Sequence, residues 1–167
     1  MELFVLRHGI AVEPGTPGFE DEFTRPLIPK GKRQLRQSCF ALRKMKLHFD
    51  LIVSSPLIRA RETAEIVAAE LKCKKRLFFS ENLRPRGGHS KLVAELNALK
   101  TGLKSIVLVG HEPDLSRLIS LLVAGRPDGR FALKKGGLAM LEVEKLTAGR
   151  CATLAWLLTP KQLKLIG

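Results

Sequence analysis

The chain has 167 residues, 45% of them hydrophobic and 27% charged, and its 29 lysines and arginines against 16 acidic residues give a formal net charge of +13. That length fits a single domain over residues 1–167 with one substantial core, and no run approaches the roughly 18 apolar residues of a membrane-spanning helix. The positive balance predicts attraction to anions without naming one.

Met1-Glu2 leads straight into apolar sequence, with no basic segment and long apolar stretch of a secretory leader, so the expected location is cytoplasmic. Leu3–Leu6 is continuously apolar rather than alternating, the pattern of a strand buried on both faces. It runs into Arg7-His8-Gly9. A loop with Pro14, Gly15, Pro17 and Gly18 follows, then the acidic cluster Glu20-Asp21-Glu22. From Pro29, the spacing of Leu35, Cys39, Leu42 and Met45 predicts a helix that ends near His48.

Leu51-Ile52-Val53 is a second short strand, closed by Ser54-Ser55-Pro56. Ser55 is expected to cap the next helix, with Pro56 at its first position and Leu57, Ala60, Ala64, Val67 and Leu71 on one face. Arg76–Phe79 reads as a third strand and Lys91–Lys100 as a third helix. Ser105–Val109 repeats the first pattern, a buried strand ending in Gly110-His111-Glu112-Pro113, and Asp114–Ala124 is helical. Leu138–Glu144 and Ala152–Leu158 are two further strands joined by a turn containing Gly149. Strands alternating with helices predict an α/β fold: a three-layer sandwich, its sheet mainly parallel, with helices on both faces.

Three of the strands end in unusual polar residues: Arg7-His8-Gly9, Ser54-Ser55 with Arg59, and His111-Glu112. Ligands of open α/β sheets bind at the carboxyl ends of the strands, so these segments are expected to converge on one crevice. A guanidinium offers a fixed fork of donors that matches a tetrahedral oxyanion, and a helix N-terminus adds free N–H groups; phosphate is the natural guest. Arg59 falls in the first turn of its helix, the unfavourable end for a cation unless an anion sits there. An imidazole attacks phosphorus only through an unprotonated nitrogen, so an orienting hydrogen bond on the other nitrogen is expected. His8, followed by a glycine that permits close packing, is assigned as nucleophile and His111 as a phosphate-contacting partner.

The stretches "LRHG", "SSPLIRARETAE" (54–65) and "VGHEP" (109–113) resemble, in order, the motifs of the histidine phosphatase superfamily, the phosphoglycerate mutase-like fold. The resemblance implies that His8 is transiently phosphorylated and that Arg7, Arg59 and His111 hold the phosphoryl group, with Gly9 lining the substrate site. "TRPLIPKG" (24–31) and "GGLAMLEV" (136–143) are similar to the small SixA-type branch of phosphohistidine phosphatases. That branch implies a phosphorylated protein of the histidine-phosphotransfer type, or a small phosphorylated molecule, as partner, a role in signal transduction, and no cofactor.

One departure bears on the substrate. Ester-cleaving relatives carry an acidic proton donor in an "L-x-E" segment, and here the stretch reads Asn82-Leu83-Arg84-Pro85. General acid help is worth about 10²–10⁴-fold, so an alkyl phosphate is handicapped, whereas the imidazole of phosphohistidine leaves more easily. Glu20, Asp21 and Glu22 are the alternative donors.

Other chemistries lack their residues. The cysteines, Cys39, Cys73 and Cys151, are followed six positions on by Met45, Phe79 and Leu157, not by the arginine of a cysteine phosphatase, and they have neither disulfide nor zinc spacing. No G-x-x-x-x-G-K-[ST] loop and no metal-ligand cluster is visible. The alternatives are a phosphatase of small phosphoesters such as sugar or acyl phosphates, and a basic module binding nucleic acid or an acidic protein. The scattered basic residues, the missing Tyr and the single Trp156 argue against nucleic acid. His48 and His89 are expected to be surface residues.

Overall fold

The computed structural model describes residues 1–73, 76–99 and 102–167. In chain order the elements are β1 (Glu2–Arg7), α1 (Pro29–Lys44), β2 (Leu51–Ser54), α2 (Ile58–Glu70), β3 (Leu77–Phe79), a 3-10 turn at Glu81–Leu83, α3 (His89–Leu99), β4 (Ser105–Gly110), α4 (Asp114–Ala124), β5 (Leu138–Val143), β6 (Ala152–Leu158) and α5 (Pro160–Ile166). The strands form one six-stranded sheet in the order β3-β2-β4-β1-β5-β6. Its first four strands pair in parallel, whereas β5 runs antiparallel to both β1 and β6.

The apolar runs that announced β1 and β4 have a simple physical reason. Both strands are central, and the two-residue period of the pleat sends alternate side chains to opposite faces. Leu3, Val5, Ile106 and Leu108 pack with Leu92, Leu96, Leu115 and Leu118 of α3 and α4. Phe4, Leu6, Val107 and Val109 pack with Cys39 and Leu42 of α1, Ala60, Ala64 and Val67 of α2, and Leu163 of α5. Each face thus meets a helical layer, which is the three-layer α/β arrangement expected from the sequence.

The differences are local. Helix α1 stops at Lys44 rather than near His48 because Lys46 adopts a left-handed conformation, φ 58°, and the N–H groups of Met45 and Leu47 close onto Ala41 and Leu42. Ser55 does not cap α2, which begins at Ile58: the Ser55 N–H still follows the sheet, donating to the Val109 carbonyl at 2.9 Å, and Pro56-Leu57 make the turn. The third strand begins at Leu77, since the Arg76 N–H donates to the Cys73 carbonyl at 3.0 Å. Helix α3 starts two residues before the expected Lys91, at His89, and the expected end at Lys100 lies outside the described residues. Strand β5 ends at Val143, one residue short of the expectation. Helix α5 was not foreseen. It opens on a reciprocal capping box between Thr159 and Gln162 and buries Leu163.

Candidate active site

β4 lies between β2 and β1, so the segments leaving these three strands are neighbours at one edge of the sheet. The β1 exit is tied on both sides. The His8 N–H donates to Gly110 O at 3.1 Å, and the N–H of Gly136 is within 3.0 Å of both the Arg7 and His8 carbonyls. Gly9 sits tightly against α1: a Cβ there would lie 2.8 Å from Leu35 Cδ1, so a side chain would have to displace the buried Leu35. Its N–H donates to Thr63 Oγ1 at 3.1 Å, and the Thr63 hydroxyl donates in turn to the Arg59 carbonyl at 2.6 Å. The loop carrying His8 is therefore fastened to the first turns of α2.

Only 6% of His8 is exposed, and its Nδ1 is 2.7 Å from the Gly9 carbonyl. A carbonyl only accepts, so Nδ1 carries the proton and Nε2 keeps its lone pair. Arg59 Nε donates to that nitrogen at 3.3 Å. Burial pushes the His8 pKa down to about 3; the Gly9 bond opposes this, and the nearby charges of Arg59, Arg7 and Lys135 add to it. The imidazole is neutral at ordinary pH, in the tautomer that leaves Nε2 free to accept a phosphoryl group.

Arg59 is 3% exposed and also donates from Nη1 to the Glu22 carbonyl at 2.6 Å, while Nη2 stands 3.1 Å from the Glu22 carboxylate. Arg7 donates from Nη1 to Leu133 O at 3.0 Å, and its buried Nε has no hydrogen-bond partner among the described residues. Burial lowers the pKa of both guanidiniums, although each remains a cation. His111 is 3% exposed; its Nε2 lies 2.9 Å from Ser55 Oγ, and its ring centroid is 5.1 Å from that of His8. Burial, followed by the charge of Arg59, brings the His111 pKa down to about 2. Arg59 thus contacts His8, the His111 ring stands beside it, and the charge of Arg7 acts on both imidazoles, a cationic setting that suits a tetrahedral dianion.

Of the three acidic candidates in the 13–27 loop, Glu22 alone reaches this cluster. Its carboxylate accepts from Arg25 at 2.6 Å and is held below the usual carboxylate range chiefly by that bond. Glu20 accepts from the Gly18 N–H and Asp21 from the Phe23 N–H, both serving the loop itself. Arg84 pairs with Glu81 at 2.7 Å and lies over the Phe23 ring at 4.1 Å. His89 is half-buried, with Nε2 3.1 Å from the Asp114 carbonyl, and His48 is exposed.

Three further residues near the site carry roles that their place in the sequence does not show: Ser55 reads there as a helix cap, Glu112 as part of a strand exit, and Thr63 as one residue of the matched stretch. Thr63 and Ser55 fix the positions of Gly9 and His111. Glu112 is half-buried, its pKa raised by burial and opposed by bonds from Ser116 and the charge of Arg7. Thr63 and Ser55 both sit inside the stretch that carried the resemblance, and Glu112 directly follows His111.

The depressed imidazole pKa values have a measurable consequence. Unfolded histidines titrate near pH 6.5, so between about pH 6.5 and about pH 3 the unfolded chain binds protons that folded His8 and His111 do not, and acidification destabilises the fold. Each group contributes up to about 1.4 kcal/mol per pH unit across that window. Denaturant unfolding at about pH 7 and about pH 5 is expected to show a smaller pH-dependent loss in His8→Asn and in His111→Asn than in the wild type. Equal losses in all three proteins would contradict neutral burial of the two rings.

A family model of the histidine phosphatase superfamily (branch 1) matches residues 3–86, a span that includes Arg7, His8 and Arg59. The chain belongs to this superfamily. It is 37% identical over 140 residues, covering 83% of this chain and 82% of the relative, to an uncharacterized protein of Picosynechococcus sp.. It is 26% identical over 166 residues, covering 99% of this chain and 98% of the relative, to the phosphohistidine phosphatase SixA of Escherichia coli K12. The solved structure of the protein histidine phosphatase SixA complexed with tungstate superposes with a TM-score of 0.83 at 26% identity, covering 98% of this chain and all of that one. Histidine phosphatase membership thus joins the sequence motifs to the clustered side chains, and no helix among the described residues is long and apolar enough to cross a membrane.

Proposed function

We propose that the protein is a phosphohistidine phosphatase that works through a phosphorylated His8. The observation that carries this reading is the unprotonated Nε2 of His8: the ring proton is committed to the Gly9 carbonyl, and the Nε2 lone pair faces the Arg59 guanidinium, whose long 3.3 Å bond a phosphoryl group would displace. The full-length similarity to SixA supports the substrate class, and the intended partner is a phosphorylated protein of the histidine-phosphotransfer type.

In the first step His8 Nε2 forms a bond to phosphorus as the bond from phosphorus to the substrate's imidazole nitrogen breaks; the substrate ring, protonated from solvent on its other nitrogen, departs as neutral imidazole with the electron pair of the broken bond. Arg7, Arg59 and His111 hold the phosphoryl oxygens through transfer. In the second step water attacks phosphorus, inorganic phosphate departs, and the lone pair returns to Nε2. A protonated imidazole needs little help to leave. This suits a site whose nearest carboxylate, Glu22, is kept ionised by Arg25 and whose 82–85 segment offers no acid.

The test is a leaving-group series. Phosphohistidine peptides and aryl phosphates are expected to turn over about 10²-fold or more faster than alkyl phosphates, the share general acid help would otherwise supply. Glu22→Gln is expected to leave phosphohistidine hydrolysis within about threefold of wild type, since no proton is drawn from this carboxylate. Alkyl phosphates cleaved as fast as phosphohistidine, with that rate lost in Glu22→Gln, would overturn the substrate class in favour of small phosphoesters and make Glu22 the acid.

A further inference from the structure

The contact between Ser55 and His111 decides where the single proton of a neutral ring resides. Ser55 and His111 are both buried. The Ser55 hydroxyl has one hydrogen to give and two lone pairs. It accepts the Leu57 N–H at 3.4 Å and stands 2.9 Å from His111 Nε2, and no other partner for it is found among the described residues. His111 Nδ1 is fully buried and without a hydrogen-bond partner.

Two proton arrangements are open. If His111 donated from Nε2, the Ser55 hydrogen would be buried with no acceptor and Nδ1 would be left as an unpaired acceptor: two orphaned groups. If Ser55 donates to Nε2, its hydroxyl is fully used and a single orphan remains, the Nδ1 hydrogen. A buried polar group left without a partner is costly, so the second arrangement, with one orphan rather than two, is preferred. It also leaves the unsatisfied group where it is useful. The His111 ring contacts Ser55 through Nε2 and has its centroid 5.1 Å from that of His8. The two ring nitrogens diverge, so with Nε2 engaged by Ser55 it is Nδ1 that is left for a ligand.

We propose that Ser55 is a positioning residue that donates to His111 Nε2, places the ring proton on Nδ1, and thereby turns His111 into an oriented donor for an oxygen of the phosphoryl group carried by His8. The inference rests on the roles proposed above for His8 and His111. Ser55 does not touch the phosphoryl group; it acts through the tautomer and angle of the ring. Without it the ring would be free to carry its proton on either nitrogen.

Long-range proton–nitrogen correlation spectra of the full chain with labelled histidine report each tautomer directly and need no turnover. His111, assigned by its loss in His111→Asn, is expected as the pure Nδ1–H form, with its Nδ1 proton shifted on addition of inorganic phosphate. Ser55→Ala is expected to give a mixture of tautomers and a fall of about tenfold in both kcat and kcat/KM, because the His111 donor it misdirects contributes most as charge develops on the transferring phosphoryl group, with Ser55→Thr restoring both. An Nε2–H signal for wild-type His111, or an unmixed Nδ1–H signal in a folded Ser55→Ala protein, would overturn the assignment even if His8 proves to be phosphorylated. Nδ1–H with no phosphate on His8 would instead sink the reading of His8 and leave the Ser55–His111 tautomer standing.

Discussion

Replacing His8 by alanine is expected to bring turnover down by about 10⁴-fold or more, because the covalent route disappears altogether. The expectation follows from geometry rather than from the presence of a histidine as such. Nδ1 spends its proton on the Gly9 carbonyl, Gly9 is locked by Thr63, and burial keeps the ring neutral, so Nε2 is unprotonated and turned to the Arg59 guanidinium. His8→Asn is the companion variant, since its amide occupies similar space and can still bond Gly9 while offering no nucleophile. Both variants are expected to fold, as judged by unfolding midpoints near that of the wild type. Substantial hydrolysis by either folded variant would mean that His8 is not the group attacked.

The second large effect is expected at Arg59. Removing its guanidinium takes away a charge-assisted donor that tightens as charge spreads over the transferring phosphoryl group, which costs about 10²–10³-fold in kcat. Arg59→Lys is expected to recover little, because a point charge cannot replace a planar fork that serves His8 through Nε and the Glu22 region through Nη1 and Nη2 together. Glu22→Gln separates the two functions of the fork. It removes the ion pair of the loop with Arg59 while leaving the guanidinium in place, so a loss specific to phosphate handling appears in Arg59→Lys and not in Glu22→Gln. Wild-type kcat in Arg59→Ala would place phosphate elsewhere.

How far the sequence carries a reader depends on the reach of each interaction. β1 and β4 are legible because they are buried on both faces, which leaves an unbroken apolar run in the sequence. The convergence of Arg7, His8, Arg59 and His111 is legible because the ends of parallel strands share one edge of the sheet. The links that hold these residues in place left little local trace: Gly9 and Thr63 are 54 positions apart, and Ser55 and His111 are 56 apart. Ser55 before a proline looks like a helix cap, and only the register of β2 against β4 shows that it still belongs to the strand exit.

The acidic loop shows a different limit. Glu20, Asp21 and Glu22 are equivalent by composition. Which one reaches Arg59 depends on the path of the loop, pinned by the Ala11–Leu27 bridge and by the bond from Arg25 to the Val12 carbonyl. The early end of α1 is of the same kind, since a left-handed Lys46 has no glycine to mark it. Helix α5, by contrast, carried its own signal in Thr159-Pro160-Lys161-Gln162, a capping box with proline at the first helical position.

The covalent intermediate is the centre of the mechanism, and rapid quenching addresses it most directly. The protein is mixed with a histidine-phosphorylated protein carrying radiolabelled phosphate, stopped in base within the first turnover, digested, and the labelled peptide sequenced. Label on His8 at Nε2, stable to base, lost in acid and appearing no more slowly than inorganic phosphate is released, is the expected result. Label on His111, on a serine or on a cysteine, or full release of phosphate with no label on the protein at any time, would contradict it.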